Sequence, residues 1–283
     1  MKRSILIKVF LLILSVFLNF NNSLAQEQLS NIQNESKDDF SKPKNGNTYV
    51  IAHRGVHNGI PENTIAAYQK AIDLGCDFVE IDLRITKDGR FVSVHNSTVD
   101  AYVEGISGKV SDFTLAELKK MNIGKRVGPG WENERIPTFE EILQLCKGQI
   151  GIYLDLKESY VKELVEIIKQ YGMERDIVWY IPISYSQAIE ELKRICYRCL
   201  PMPDPDLNDI EQTIEKYRPR VIAPVMDQYS KTYLDKAHSY SVKVFVDEDE
   251  GDEEEWEKIL SWGTDGIQTD KPAELIAFLR KKK

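Results

Sequence analysis

Strict alternation between apolar strand patterns and amphipathic helical patterns constrains this chain more than any other feature. Strand-like runs fall at Tyr49–Ala52, Phe78–Leu83, Ile150–Leu156, Ile177–Tyr180, Tyr197–Leu200, Val221–Pro224, Val242–Val246 and Gly266–Thr269. Helical periodicity fills most of the gaps, at Thr64–Leu74, Phe139–Cys146, Tyr160–Tyr171, Ser186–Arg194, Asp209–Tyr217, Ser230–Ser239 and Glu253–Trp262. Strands separated by helices pair in parallel. Eight of them in about 235 residues predict an α/β fold, the closed (β/α)8 TIM barrel, because the length suits it and closure leaves no edge strand. The competing architecture is an open doubly wound sheet. That sheet usually carries a glycine-rich phosphate turn after its first strand, and none is present here.

One segment breaks the alternation. The runs Ile81 to Thr86 and Arg90 to His95 are joined only by Lys87-Asp-Gly89. Asp-Gly in so short a link signals a hairpin, whereas a parallel crossover needs about a dozen residues or more. The barrel is therefore expected to carry an antiparallel hairpin excursion after its second strand, which returns His95 toward the end of that strand. The stretch from Ser97 to Arg135 continues the excursion, with one helix expected from Thr114 to Met121. Ile136-Pro-Thr138 then opens the next helix, with Thr138 as N-cap and Glu141 completing a capping box.

Residues 1–25 have the form of a signal peptide. Lys2-Arg3 is basic, Ile5 to Phe20 is almost wholly apolar, and Ser23-Leu-Ala25 offers a small-x-small cleavage site. The apolar run is short for a membrane span, so export to the periplasm or beyond, with no stable span after cleavage, is the expectation. Residues 26–47 are polar and read as a disordered linker, which leaves 48–283 for the barrel. The formal net charge of −8 argues against nucleic acid as a main partner. The acidic run Asp247 to Glu255 reads as a solvated loop leading into a helix, and Arg280 to Lys283 as a solvated tail. Cys76, Cys146, Cys196 and Cys199 read as free, mostly buried thiols, with a disulfide the next reading.

The C-terminal ends of barrel strands share one mouth. The first strand brings His53 and Arg54 there, and the second brings Glu80 and Asp82, two apart and so on one face. The third brings Asp155 and Lys157, and the last Thr269-Asp270. Three converging carboxylates would repel one another. One reading is that Glu80, Asp82 and Asp155 hold a hard divalent cation, Ca2+ or Mg2+. The other is a salt-bridge ring with Arg54, Lys157 and Arg84. His53 and His95 are candidates for a general acid and base, since imidazole titrates near neutral pH. Arg54 and Lys157 suit the non-bridging oxygens of a phosphodiester. His57 and His238 lack such company and read as structural or surface residues.

These residues, taken together, resemble the glycerophosphodiester phosphodiesterases. The likeness rests on His53-Arg-Gly55, Pro61-Glu-Asn-Thr64, Glu80-x-Asp82, the Thr86-x-Asp-Gly89 hairpin, His95, Ile136-Pro-Thr138, Leu154-Asp-Leu-Lys157 and Gly263-x-Asp-Gly-Ile267 with Thr269-Asp270. It runs from about 48 to 280 in family order. The resemblance implies a TIM barrel, one divalent metal ion (Ca2+ or Mg2+), and hydrolysis of a small glycerophosphodiester, of glycerophosphocholine or glycerophosphoethanolamine type, to glycerol 3-phosphate and an alcohol. It implies His53 and His95 as the catalytic pair and Glu80, Asp82 and Asp155 as metal ligands. Arg54, Glu62 and Lys157 would bind substrate or order the site. Three positions depart from the family pattern. Asn96 stands where an Asp usually follows the second histidine. Asp155 replaces the usual third Glu, as in sphingomyelinase D-like phospholipases. Val244-Phe-Val-Asp247 replaces a Trp-rich seventh strand. The alternatives are a lyase that releases a cyclic phosphate from lysophospholipids, and a non-catalytic barrel that binds phosphodiesters.

Overall fold

The computed structural model describes residues 40–248 and 251–282. The expected leader over 1–25, and the expected linker as far as residue 39, lie outside the described residues. A compact unit spans Lys42–Lys283. Its packing starts slightly before residue 48. The Lys44 backbone N–H donates to Asp77 Oδ1 at 2.8 Å. Asn45 is buried and its Nδ2 donates to the Gly75 carbonyl at 2.8 Å.

The chain order is β1 (Tyr49–Ala52), α1 (Ile65–Leu74), β2 (Phe78–Ile85), β3 (Phe91–Ser93), α2 (Leu115–Leu118), α3 (Phe139–Cys146) and β4 (Gly151–Asp155). It continues with α4 (Val161–Tyr171), β5 (Ile177–Tyr180), α5 (Ser186–Ile195), β6 (Leu200–Met202), α6 (Ile210–Tyr217) and β7 (Val221–Ile222). Last come α7 (Lys231–Ser239), β8 (Lys243–Asp247), α8 (Glu253–Trp262), β9 (Gly266–Thr269) and α9 (Pro272–Lys281). Eight strands run in the order β6-β5-β4-β2-β1-β9-β8-β7, every pair parallel. This is the expected barrel, nearly closed. Between β6 and β7 a single backbone bond spans the last gap, from Ala223 N–H to the Pro203 carbonyl at 3.0 Å. Pro201, Pro203 and Pro205 carry no N–H, so this side of the seam has few donors to offer.

Side chains alternate across each strand. Val50, Ala52, Val79, Ile81, Ile152 and Leu154 pack outward against the helices in the main core. The intervening residues face the barrel axis. At its N-terminal end Tyr49, Phe78 and Phe245 form a floor, with ring centroids 5.9, 5.4 and 5.7 Å apart. Gly151 stands opposite Phe78, and Gly266 opposite Tyr49 and Phe245. A Cβ at either glycine would come within 2.4 Å of the Phe78 or Phe245 ring. Two missing side chains therefore make room for three aromatic ones.

β3 pairs antiparallel with β2, Leu83 opposite Ser93 and Ile85 opposite Phe91. Gly89 closes the link at φ 74°, and Asp88 Oδ1 accepts from Thr86 Oγ1 at 2.6 Å and from the Leu115 N–H at 2.9 Å. The excursion beyond it has a small core of its own, including Val94, Val99, Tyr102, Leu118, Met121 and Ile136. The capping box at the start of α3 is present, with Glu141 N–H to Thr138 Oγ1 at 3.2 Å and Thr138 N–H to Glu141 Oε2 at 2.7 Å.

Four local expectations need correction. The strand expected at Tyr197–Leu200 starts only at Leu200, because Cys196 and Cys199 close a turn and are joined by a disulfide rather than free; Cys76 and Cys146 are free and buried. The Cα atoms of Cys196 and Cys199 lie 5.4 Å apart, within disulfide reach. The tail expected from Arg280 is exposed at Arg280, Lys281 and Lys282, but Arg280 and Lys281 end a helix that Pro272 opens; Leu275, Ile276, Phe278 and Leu279 bury one face of it, and Arg280 Nε donates to Asn45 Oδ1 at 3.1 Å. The acidic run is only partly solvated, since Glu248 is buried and Asp247 faces the barrel mouth. The helix expected over Thr114 to Met121 is a single turn capped by Thr114.

Substituting Gly266→Ala should lower stability by about 1–3 kcal/mol, the usual cost of overpacking a filled core. A urea midpoint equal to that of the parent protein would show that the aromatic floor has slack.

Candidate active site

β1 delivers His53 and Arg54 to the mouth through a strained turn. Arg54 sits at φ 51° and Gly55 at φ 77°, both in the left-handed region. A Cβ on Gly55 would lie 2.8 Å from the Ala67 backbone carbon, so only glycine lets the turn pass α1 so closely. The turn aims the Arg54 N–H at Glu80 Oε2, 2.7 Å away. Arg54 Nε is buried with no hydrogen-bond partner, 3.8 Å from Asp82 Oδ2.

Glu62, Asn63 and Thr64 of Pro61-Glu-Asn-Thr64 have separate tasks. Thr64 caps α1 through its Oγ1, which accepts from Ala67 N–H at 3.2 Å. Asn63, at φ 54°, donates from Nδ2 to Asp82 Oδ2 at 2.9 Å. Its Oδ1 accepts from the Tyr68 and Ser93 hydroxyls, each at 2.8 Å. Glu62 lies 3.5 Å from Arg54 and 3.9 Å from Arg126 of the excursion. Asn63 is thus the positioning residue of the motif, a role that its sequence signal alone did not disclose.

Glu80 and Asp82, two apart on β2, are almost wholly buried, at 2% and 1% exposure. Asp155 of β4 stands in register with Asp82. One oxygen from each of the three carboxylates lies within 4.8 Å of the other two. Lys157 Nζ lies 3.0 Å from Asp82 Oδ1 and also donates to Asp155. Burial pushes Glu80 well above the usual carboxylate range, and the charge on Asp82 pushes it further. Burial also opposes the charge on Asp82, but Lys157 and the Asn63 hydrogen bond hold that carboxyl below its ordinary value. Burial raises Asp155 despite Lys157. Arg84 takes no part in a salt-bridge ring here, because it donates to the His95 carbonyl at 2.7 Å and reaches toward Glu158. With all three carboxylates ionised, Arg54 and Lys157 would leave surplus negative charge among three oxygen donors, two of them buried and Asp155 partly exposed. That donor set fits a hard divalent cation.

The two histidines expected to work together are both on the cavity, as are Arg54, Glu80, Asp155 and Lys157. The cavity measures about 370 Å³. His53 Nδ1 lies 2.7 Å from Asp270 Oδ1, just past β9. His57 is not an idle surface residue, since its Nε2 shares that oxygen at 2.9 Å. Burial opposes ionisation of Asp270, yet the hydrogen bonds to His53 and His57 hold it far below the ordinary carboxylate range. His95 Nδ1 lies 2.9 Å from Asn96 Oδ1, and Asn96 N–H donates to the Tyr102 hydroxyl at 3.1 Å. A carboxylate and a carbonyl oxygen can only accept. Each catalytic-candidate ring therefore carries a proton on Nδ1, which leaves Nε2 as its basic nitrogen. Tyr153, Tyr180, Asp247 and Gln268 also line the cavity. Tyr153 and Tyr180 stack with centroids 6.1 Å apart, and Gln268 Nε2 donates to Asp247 Oδ1 at 2.8 Å.

The fold has counterparts among solved structures. A glycerophosphoryl diester phosphodiesterase from Parabacteroides distasonis superposes with a TM-score of 0.75 at 20% identity, covering 87% of this chain and 90% of that one. An Oleispira antarctica phosphodiesterase gives 0.74 at 23% identity over 82% and 96% of the two chains. In sequence, a glycerophosphodiester phosphodiesterase from Caldanaerobacter subterraneus subsp. tengcongensis is 32% identical over 252 residues, covering 83% of this chain and 98% of the relative. The model of the glycerophosphoryl diester phosphodiesterase family matches residues 53–274, from His53 to beyond Asp270. The chain belongs to the glycerophosphoryl diester phosphodiesterase family.

Proposed function

We propose that the protein is a phosphoric diester hydrolase that cleaves glycerophosphodiesters to glycerol 3-phosphate and an alcohol, using a divalent cation and the pair His53 and His95. The observation that carries this reading is the convergence on one cavity of two imidazoles, each with Nδ1 held, and three clustered carboxylates beside Arg54 and Lys157. The Oleispira antarctica phosphodiesterase is a complex with sn-glycerol-3-phosphate as product.

Glu80, Asp82 and Asp155 would hold Ca2+ or Mg2+. The bound ion would supply Lewis acidity to the phosphate. Asn63 keeps Asp82 aimed and ionised. Arg54 offers its unpartnered Nε, and Lys157 its ammonium, to non-bridging phosphate oxygens. Glu62 orders Arg54 and Arg126 at the rim. One histidine Nε2 accepts the proton of the attacking hydroxyl or water, and the other protonates the leaving alkoxide. Asn96 orients His95 as a carboxylate would, without adding charge, which favours turnover over a merely binding barrel. The stacked Tyr153 and Tyr180 with Asp247 favour a small cationic alcohol, of choline or ethanolamine type. The basic and apolar start of the sequence supports export, and the Cys196–Cys199 disulfide suits an oxidising compartment. Among the described residues no helix is long and apolar enough to cross a membrane.

His53→Ala and His95→Ala should each lower kcat by about 10²–10⁴-fold on glycerophosphocholine, with circular dichroism unchanged. Near-parental turnover in either variant would remove that residue from the acid–base pair. Phosphorus NMR of the product should show glycerol 3-phosphate; a persistent cyclic phosphate would instead support the lyase.

EDTA should abolish turnover, and Ca2+ or Mg2+ should restore it. Asp82→Asn should lose that response together with any cation-induced rise in melting temperature.

Glu80 also predicts a pH signature. Burial raises its folded pKa above the ordinary glutamate value of 4.5, so the folded protein binds the proton more tightly than the unfolded chain. The stability it supports is present below about pH 4.5 and is lost as pH rises toward the folded pKa. Glu80→Gln removes this loss. Without metal, the melting temperature of the variant minus that of the parent should grow as pH rises, by about 2–4 °C per kcal/mol regained. A difference that shrinks with pH would contradict the assignment.

A further inference from the structure

Among the described residues, two clusters bring three metal-ligating side chains together: the carboxylate trio and, separately, His53, His57 and Asp270. We propose that the second cluster binds a borderline-soft divalent cation of the zinc type, and that its occupancy disables His53 as a base. His53 Nδ1 and His57 Nε2 lie 2.7 and 2.9 Å from the same Asp270 oxygen, and the ligand atoms of all three residues lie within 4.8 Å of one another. Two imidazoles and a carboxylate form a donor set that zinc takes, at bonds of roughly 2.0–2.2 Å, with water completing the tetrahedron. Donors of such an ion sit about 3.4 Å apart, so these contacts need open by only some tenths of an ångström. The carboxylate trio offers oxygen alone, which suits the harder cations. The two clusters therefore differ in the metal they select.

The backbone holds the donors in place. His53 N–H donates to the Thr269 carbonyl, and β1 and β9 pair Ala52 with Thr269, so His53 and Asp270 leave adjacent strands side by side. The turn that contains Gly55 brings His57 back to the same oxygen. The three side chains are only partly covered, at 12%, 22% and 30% exposure, so an ion can reach them from solvent.

The consequence for His53 follows from its tautomer. Without the ion, Nδ1–H faces Asp270, and Nε2 is the ring's basic nitrogen. A cation on Nδ1 displaces that proton, and the neutral ring keeps its single proton on Nε2. The ring can then no longer accept a proton from a nucleophile. No proton is lost overall, because it moves from one ring nitrogen to the other.

The binding half of this inference stands independently of the proposed function; only the inhibitory half rests on it. The test is Zn2+ binding to the full chain by competition with a chromogenic chelator, in saturating Mg2+ to occupy the carboxylate trio. Parent protein and Glu80→Gln should bind one Zn2+ per chain with equal affinity. His57→Ala should bind at least tenfold more weakly, and so should His57→Gln, which retains a donor for Asp270. Zinc should inhibit glycerophosphocholine turnover in the parent, with the inhibition constant raised by the same factor in the His57 variants. Equal affinity in the parent and both His57 variants would overturn the cation site. His57-dependent binding without inhibition of an active enzyme would overturn the tautomer argument. His57-dependent binding in a protein inactive with every metal would sink the hydrolase reading and leave the cation site standing.

Discussion

The charge on Asp82 is what the rest of the mouth is arranged around. It is almost wholly buried, and an isolated carboxylate in that position would take up a proton instead. Lys157 and the Asn63 amide keep it ionised. That charge in turn helps drive Glu80 toward its protonated form, so neighbouring carboxylates on one strand face differ in character. The same demand explains the local sequence. Asn63 adopts a left-handed backbone because its side chain must reach Asp82, and Tyr68 and Ser93 fix the amide orientation. Ser93 comes from the hairpin, so the element that carries His95 also braces the carboxylate.

Period and length were legible at the level of architecture. The alternation of strand and helix patterns, and an Asp-Gly link too short for a crossover, were enough to expect the barrel and the returning strand. Strand ends with charges two residues apart were enough to find Glu80, Asp82, Asp155 and Lys157. What escaped notice depends on distance in space. His57 and Asp270 are 213 residues apart and meet only because β1 and β9 are neighbours. Asn63 looked like part of a motif, but nothing local in sequence pointed its amide at a carboxylate 19 residues on. The strand near residue 200 was placed too early because Tyr197 and Cys199 suit a strand, while the cross-link between Cys196 and Cys199 enforces a turn. The basic end of the final helix reads as a tail, although Leu275, Ile276 and Leu279 give the helix an apolar face.

The departures from the family pattern acquire physical meaning in the structure. Asn96 keeps the hydrogen bond that orients His95 but brings no charge. Asp155 is shorter than Glu, and Lys157 from the same strand end comes close enough to donate to it. Asp247 stands on the cavity wall, bonded to Gln268, where an aromatic wall was the family expectation. All of them change the electrostatics of the mouth and leave the barrel untouched, as expected when function is carried at strand ends and stability in the layers below.

The aromatic floor has a consequence for traffic. Tyr49, Phe78 and Phe245, seated over Gly151 and Gly266, make the barrel a cup rather than a pipe. Nothing that enters can leave by the bottom. Alcohol and phosphate products must depart through the opening that admits substrate. Filling and emptying are therefore successive uses of one doorway, and a change to the rim acts on both.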